Sequence, residues 1–219
     1  MPNKFEKPKM SEICSRAFSN YQVRESEDAA IGYITGVPIV FEQPTDIGGL
    51  FEETIASGAI SEDVLRDVAF FYNHDLNTKP HARTRTGTLK FEITPLQVNM
   101  NTEVNLRRTD SNDLYIAVKD RIIDGMSFMF RVEKDEWTDL DTDYPKRRIT
   151  KIGYVQEVSA VNYPAYEGTS INARSDLSLD SDKHALDNAR ATLLDSNDEK
   201  RQLELEKLKN ANRMKLGGY

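Results

Sequence analysis

Three histidines, one cysteine and a few well-placed serines bound the chemistry open to this 219-residue chain. His184 lies in a polar C-terminal segment and reads as a solvated side chain. His74 and His81 fall together in FYNHDLNTKPHARTRTGTL, behind a strand-like run over residues 68–72. With Asp75 they offer two imidazoles and one carboxylate, a weak ligand set for a metal. A general base needs less: one histidine, a nearby nucleophile and an orienting acceptor. Cys14, the single cysteine, excludes an internal disulfide and a cysteine-based metal site, and fits a reducing compartment.

Ser127, in DGMSFMF, is the serine that stands out. It begins an apolar strand beside Gly125, with its hydroxyl on the face opposite Met126 and Phe128. An ordinary strand serine fits the same pattern. The chain around it lacks the G-x-S-x-G elbow and the strand-turn-helix context of α/β-hydrolases, which disfavours that fold. In VQEVSAV, Val155, Glu157, Ser159 and Val161 share one strand face, so a carboxylate sits among apolar positions. Such a group needs a partner such as histidine, because an unpaired buried carboxylate is costly. An edge strand would instead leave Glu157 in water. Ser159, on the same face, is a rival nucleophile with no histidine near it in sequence.

The elements that must position these groups are mostly strands. Residues 1–28 are polar and irregular, an arm that offers a short strand at 21–24. Residues 31–41 predict a strand pair or a bent strand, with Gly36 and Pro38 at the bend. GGLFEETIASGAISEDVLRDV reads as two short helical turns, the second capped by Ser61. Leu89, Phe91 and Ile93, then Val98, Met100, Thr102, Val104 and Leu106, alternate as a half-buried antiparallel pair around Pro95. Residues 111–123 suit a helix ended by Gly125. Met126, Phe128, Phe130 and Val132 line one strand face, residues 133–148 form a charged hairpin or excursion, and a last strand covers 148–161. After Arg174 there are nine acidic and eight basic side chains, and the Leu/Ala pattern suits two weak amphipathic helices.

With 29 basic and 36 acidic residues the formal net charge is -7, which argues against nucleic-acid binding or an acidic membrane surface as partners. No stretch approaches the roughly 20 apolar residues of a membrane helix. The N-terminus has no apolar run behind its basic residues, so no secretory signal is expected.

The succession GYITGVPIVFE, NHD, RTGTL, DGMSFMF and EVSAVNYPAYEGTSINARS resembles the prohead serine proteases of tailed bacteriophages, over residues 31–174. The resemblance implies relatedness to the herpesvirus assembly proteases. The fold expected from it is mainly β (α+β), a closed or partly open β-barrel surrounded by short helices, with a polar helical or disordered C-terminal tail. It divides the chain into an arm (1–28), a protease domain (29–174) and a charged tail (175–219) that binds scaffold or is self-cleaved. It implies a catalytic set of His74, Ser127 and Glu157, with no cofactor and no metal. His81-Ala82-Arg83 departs from a Leu-Gly-Arg-like segment of the relatives, which makes His81 a decoy. The residues themselves identify no oxyanion donor; the resemblance to the herpesvirus enzymes offers backbone N–H groups near Arg147 and Arg148 as one candidate. The implied substrates are the major capsid protein, scaffold and the enzyme itself, inside the immature capsid in the host cytoplasm. The related enzymes associate, so a homo-oligomer is expected. The alternative is an inactive capsid-assembly protein that keeps the barrel.

Overall fold

The computed structural model of the protein describes residues 14–19, 21–162 and 176–216. The end of the resembling stretch, residues 163–174, lies outside the described residues, as do residues 1–13. In chain order the elements are β1 (Cys14–Ser19), β2 (Tyr21–Glu25), β3 (Ile31–Val40), β4 (Thr45–Asp46), β5 (Glu52–Ile55), β6 (Ala69–Tyr72), β7 (Ala82–Arg83), β8 (Leu89–Ile93) and β9 (Gln97–Asn105). Helix α1 (Thr109–Lys119), β10 (Gly125–Thr138), β11 (Lys146–Val161) and helix α2 (Asp176–Leu216) follow.

The strands form two sheets. In the larger, β1, β10, β11, β5 and β4 are neighbours in that order, with β6 also on β11 and β7 on β6; the smaller runs β2, β3, β9, β8. The fold is mixed α+β and dominated by strands. The expectation was a closed or partly open barrel, and the closed form is not found, because a ring needs every strand paired on both sides. Among the described residues β1 pairs with β10 alone and β4 with β5 alone, and the chain leaves the first sheet at Ser19 and enters the second at Tyr21. No closed barrel forms among the described residues.

One apolar core lies between the sheets. Ile34, Ile39, Val98, Met100 and Val104 from the smaller sheet join Met126, Phe128, Phe130, Val155, Val158 and Ala160 from the larger, with Leu114, Tyr115 and Val118 of α1. The Phe128 and Phe130 rings, two positions apart on one face, stack at 4.5 Å. Gly32 has a packing reason: a Cβ there would meet the Tyr115 ring at 2.7 Å. Gly32→Ala is therefore expected to cost about 1–3 kcal/mol through overpacking, read as a fall in the urea midpoint.

Several local expectations change. Glu52–Ile55 is a strand, not a helical turn: Glu53 and Ile55 face inward and pair in parallel with the start of β11. A single 3-10 turn covers Glu62–Leu65, and Ser61 occupies its N-cap position without a side-chain bond. Helix α1 stops at Lys119, leaving Ile122 73% exposed, so Gly125 begins β10 instead of ending a helix. The charged hairpin is the long β10–β11 ribbon.

The tail is one helix of 41 residues, and its beginning is docked. Asp182 and Leu186 are buried, Leu186 against Ile47 and Phe51 with Trp137 and Leu140 beside them. Asp182 accepts from the buried Arg16 guanidinium at 3.0 Å, and Glu53 accepts from the same group at 2.5 and 2.7 Å. Burial by itself would lower the Arg16 pKa; the Asp182 and Glu53 carboxylates outweigh it and raise the pKa, which fixes the positive charge. Leu194, Leu203, Leu205 and Leu208, farther along α2, are exposed. Truncation after residue 195 is accordingly expected to leave the melting temperature nearly unchanged, and truncation before residue 176 to lower it by several degrees.

Candidate active site

Four neighbouring strands of the larger sheet bring their side chains to one face. Register aligns Ser127 of β10 with Ala17 of β1 on one side and Ser159 of β11 on the other, and Ser159 with Phe71 of β6. Because side chains alternate along a strand, Ser15, Ser127, Glu157 and Ser159 share this face. His74 follows two residues after the end of β6.

Its backbone is unusual. Asn73 and His74 both have positive φ, 48° and 59°, in the left-handed region that non-glycine residues enter at a cost. Strand β11 holds the turn: the Asn73 N–H donates to the Ala160 carbonyl at 2.8 Å, and the His74 N–H to Ser159 Oγ at 3.1 Å. This turn swings the imidazole back over the sheet.

There His74 Nδ1 lies 2.7 Å from Glu157 Oε1. Glu157 is wholly buried and its other oxygen accepts from the Ser159 hydroxyl. An ionised carboxylate is acceptor-only, so the imidazole carries its proton on Nδ1 and leaves Nε2 as an acceptor. Ser127 is 2% exposed, and its Oγ lies 2.9 Å from Ser15 Oγ. Ser15 Oγ in turn lies 3.2 Å from His74 Nε2. The hydrogen bonds thus join Glu157, His74, Ser15 and Ser127 in one chain.

Each residue singled out in the sequence has a definite place. His74 and Glu157 are in direct contact, and Ser127 reaches His74 through Ser15. Ser159 binds Glu157 and the His74 backbone, so its hydroxyl proton is engaged away from Nε2. His81 is elsewhere: its Nδ1 pairs at 2.9 Å with Ser111 Oγ at the start of α1, and its ring meets Phe70 edge-on. Burial pushes the His81 pKa below the ordinary imidazole value, with Asp110 opposing. His81→Ala should leave the kcat for peptide hydrolysis within a few-fold of wild type, measured beside His74→Ala.

The candidate oxyanion donors lie far from Ser127. Arg147 and Arg148 are the second and third residues of β11 and pair in the ladders with β10 and β5. Arg148 and Ser159, the partner of Ser127, are eleven positions apart, roughly 35 Å along an extended strand. Their side chains serve ion pairs, Arg147 with Glu53 and Asp135 and Arg148 with Glu42. Among the described residues no three His, Cys, Asp or Glu side chains converge as a metal site. No helix among them is long and apolar enough to cross a membrane.

Ser15 is the residue that the sequence did not offer. It sits in the segment read as an irregular arm, where the alternation of Cys14 and Arg16 with Ser15 and Ala17 is the only trace of a strand.

The sequence matches the family model described as Caudovirus prohead serine protease over residues 19–205. No curated protein and no solved structure matches the chain.

Proposed function

The chain belongs to the caudovirus prohead serine protease family, and from that membership and the site's contacts we propose a serine endopeptidase of capsid maturation with Ser127 as nucleophile. The family supports a protease role in capsid maturation. The observation that carries the residue assignment is the 2.7 Å contact of His74 Nδ1 with the buried Glu157 carboxylate, on the face that also holds Ser127.

The mechanism follows from these contacts. Ser127 Oγ attacks the scissile carbonyl carbon, and His74 receives the proton through Nε2. The resulting imidazolium is stabilised by Glu157, which keeps Nδ1 protonated and the ring oriented. His74 then gives its proton to the leaving amine, and water hydrolyses the acyl-enzyme by the reverse proton movements. Ser159 holds Glu157 by its hydroxyl and the His74 backbone by its lone pair, so it orients both.

The substrates proposed are the major capsid protein with its scaffold-like extension, scaffold, and the enzyme itself, inside the immature capsid. Residues 29–174 would form the protease domain, residues 1–28 an arm, and 175–219 a tail that meets scaffold or is removed by self-cleavage. The exposed leucines of α2 beyond residue 193 are the part of that tail free to meet a partner. Self-association of the enzyme remains part of this proposal.

Mass spectrometry tests it. Wild-type protein incubated with the capsid protein should shorten the capsid protein and itself over time, and Ser127→Ala should leave both masses unchanged. Unchanged masses with both proteins would favour the alternative of an inactive assembly protein, against which the connected His74, Glu157 and Ser127 set argues.

A further inference from the structure

The hydrogen-bond chain ending at Ser127 has one more member than a serine triad needs, and donor counting assigns it a direction. His74 Nδ1–H is directed at Glu157, so Nε2 must accept. The hydroxyl within reach of Nε2 is that of Ser15, at 3.2 Å. A hydroxyl has one proton, so Ser15, donating to Nε2, has only lone pairs to offer Ser127 at 2.9 Å. Ser127 therefore donates to Ser15, and Ser15 donates to His74.

We propose that Ser15 is a catalytic residue that carries the proton from Ser127 to His74. This rests on the reading of Ser127, His74 and Glu157 as the catalytic set. As the Ser127 Oγ–carbon bond forms and the carbonyl π pair moves to oxygen, the Ser127 proton passes to Ser15 Oγ. The original Ser15 proton passes to His74 Nε2 in the same step. One proton leaves Ser127, one arrives on the imidazole, and Ser15 ends neutral as it began. The protonated Nε2 then serves the leaving amine.

The structure holds Ser15 for this task from two directions. Strand pairing sets Ser15 opposite Met129, two positions along from Ala17 opposite Ser127, so the two hydroxyls lie diagonally on one face. On the other face Arg16 is clamped by Glu53 and Asp182, and its Nη1 donates to the Ser15 carbonyl at 2.8 Å. A slip of β1 by one residue would put Arg16 where Ser15 stands. The docked beginning of α2, through Asp182, thus helps fix the proton path.

The test uses the full chain and a fluorophosphonate probe, whose phosphorus bonds to an activated serine oxygen as fluoride leaves. Rates are measured at the Ser127 peptide. Ser15→Ala should slow labelling about 10²-fold, the lower range for loss of positioned proton transfer, and Ser15→Thr, which restores a hydroxyl, should recover most of it. In mixtures of light and heavy water the wild-type rate should curve with deuterium fraction, as two moving protons require, and the Ser15→Ala rate should be linear. If Ser15→Ala lowers cooperative melting, the wild-type curve in light and heavy water decides alone, and a linear dependence overturns the proposal. Labelling of Ser127 at an unchanged or higher rate without the Ser15 hydroxyl overturns the proposal and leaves the catalytic set standing. Label on Ser15 itself, or none in wild type, overturns the catalytic set and the proposal with it.

Discussion

Replacing Ser127 by alanine is expected to lower the rate of peptide hydrolysis about 10⁴-fold or more while the protein melts as wild type does. Ser127 is 2% exposed and its hydroxyl lies beside Ser15, so removing one oxygen leaves Ser15 its bond to His74 and creates no buried charge. His74→Ala should fall to a similar rate, and the double variant should be no slower than either single one, because the two act as a unit. Glu157→Gln is the sharper member of this set. An amide NH₂ facing Nδ1 favours the tautomer with the proton on Nε2, which cannot accept from a serine; a loss near 10⁴-fold in kcat with little change in KM is expected. Steady-state kinetics on one peptide substrate measure all four. A Ser127→Ala protein retaining a tenth of wild-type kcat would contradict the assignment.

Replacing Arg16 by alanine should have the largest effect on stability. It would remove the buried guanidinium from which Glu53 and Asp182, 2% and 0% exposed, both accept, while Arg147 stays 3.2 Å from Glu53. Breaking a buried ion pair from one side costs about 3–5 kcal/mol, a large share of the roughly 5–15 kcal/mol that holds a domain folded. Arg66 and Asp63, at 79% and 63% side-chain exposure, are the contrast: such a pair contributes about 0–1 kcal/mol. Urea unfolding should show Arg16→Ala with a much lower midpoint and Arg66→Ala with an almost unchanged one. A shift below about 1 kcal/mol for Arg16→Ala would mean that water or rearrangement compensates the carboxylates.

What the sequence revealed depends on how local each signal is. Strands β8, β9, β10 and β11 were legible because apolar and polar residues alternate along them; Glu157 was legible as a carboxylate among apolar positions, although the register shift beside Met129 turns Val155 to the core side and leaves Glu157 on the opposite face with Ser159. His74 stood out because the chain has three histidines, Ser127 because it begins an apolar strand, and both through the family resemblance. Strand β5 was missed because FEETI carries two glutamates that suit a helix; the reason Glu53 faces inward is Arg16, 37 positions away. Ser15 was missed for the same kind of reason. Its role depends on Ser127, 112 positions on, and on a neighbouring arginine held by Asp182, 166 positions on. The continuous α2 was read as two weak helices because its hydrophobic anchor is brief, with Leu186 buried and the later leucines exposed. The barrel was an inference from likeness, and pairing at the sheet edges decides against closure.

Whether His74 activates Ser127 as the nucleophile is read from the position of a fluorophosphonate adduct, located by peptide mass mapping of the wild-type chain and of His74→Ala. One adduct is expected, on Ser127, in the wild type and none in His74→Ala over the same time. An adduct on Ser15 or Ser159, or equal labelling without His74, would contradict that activation.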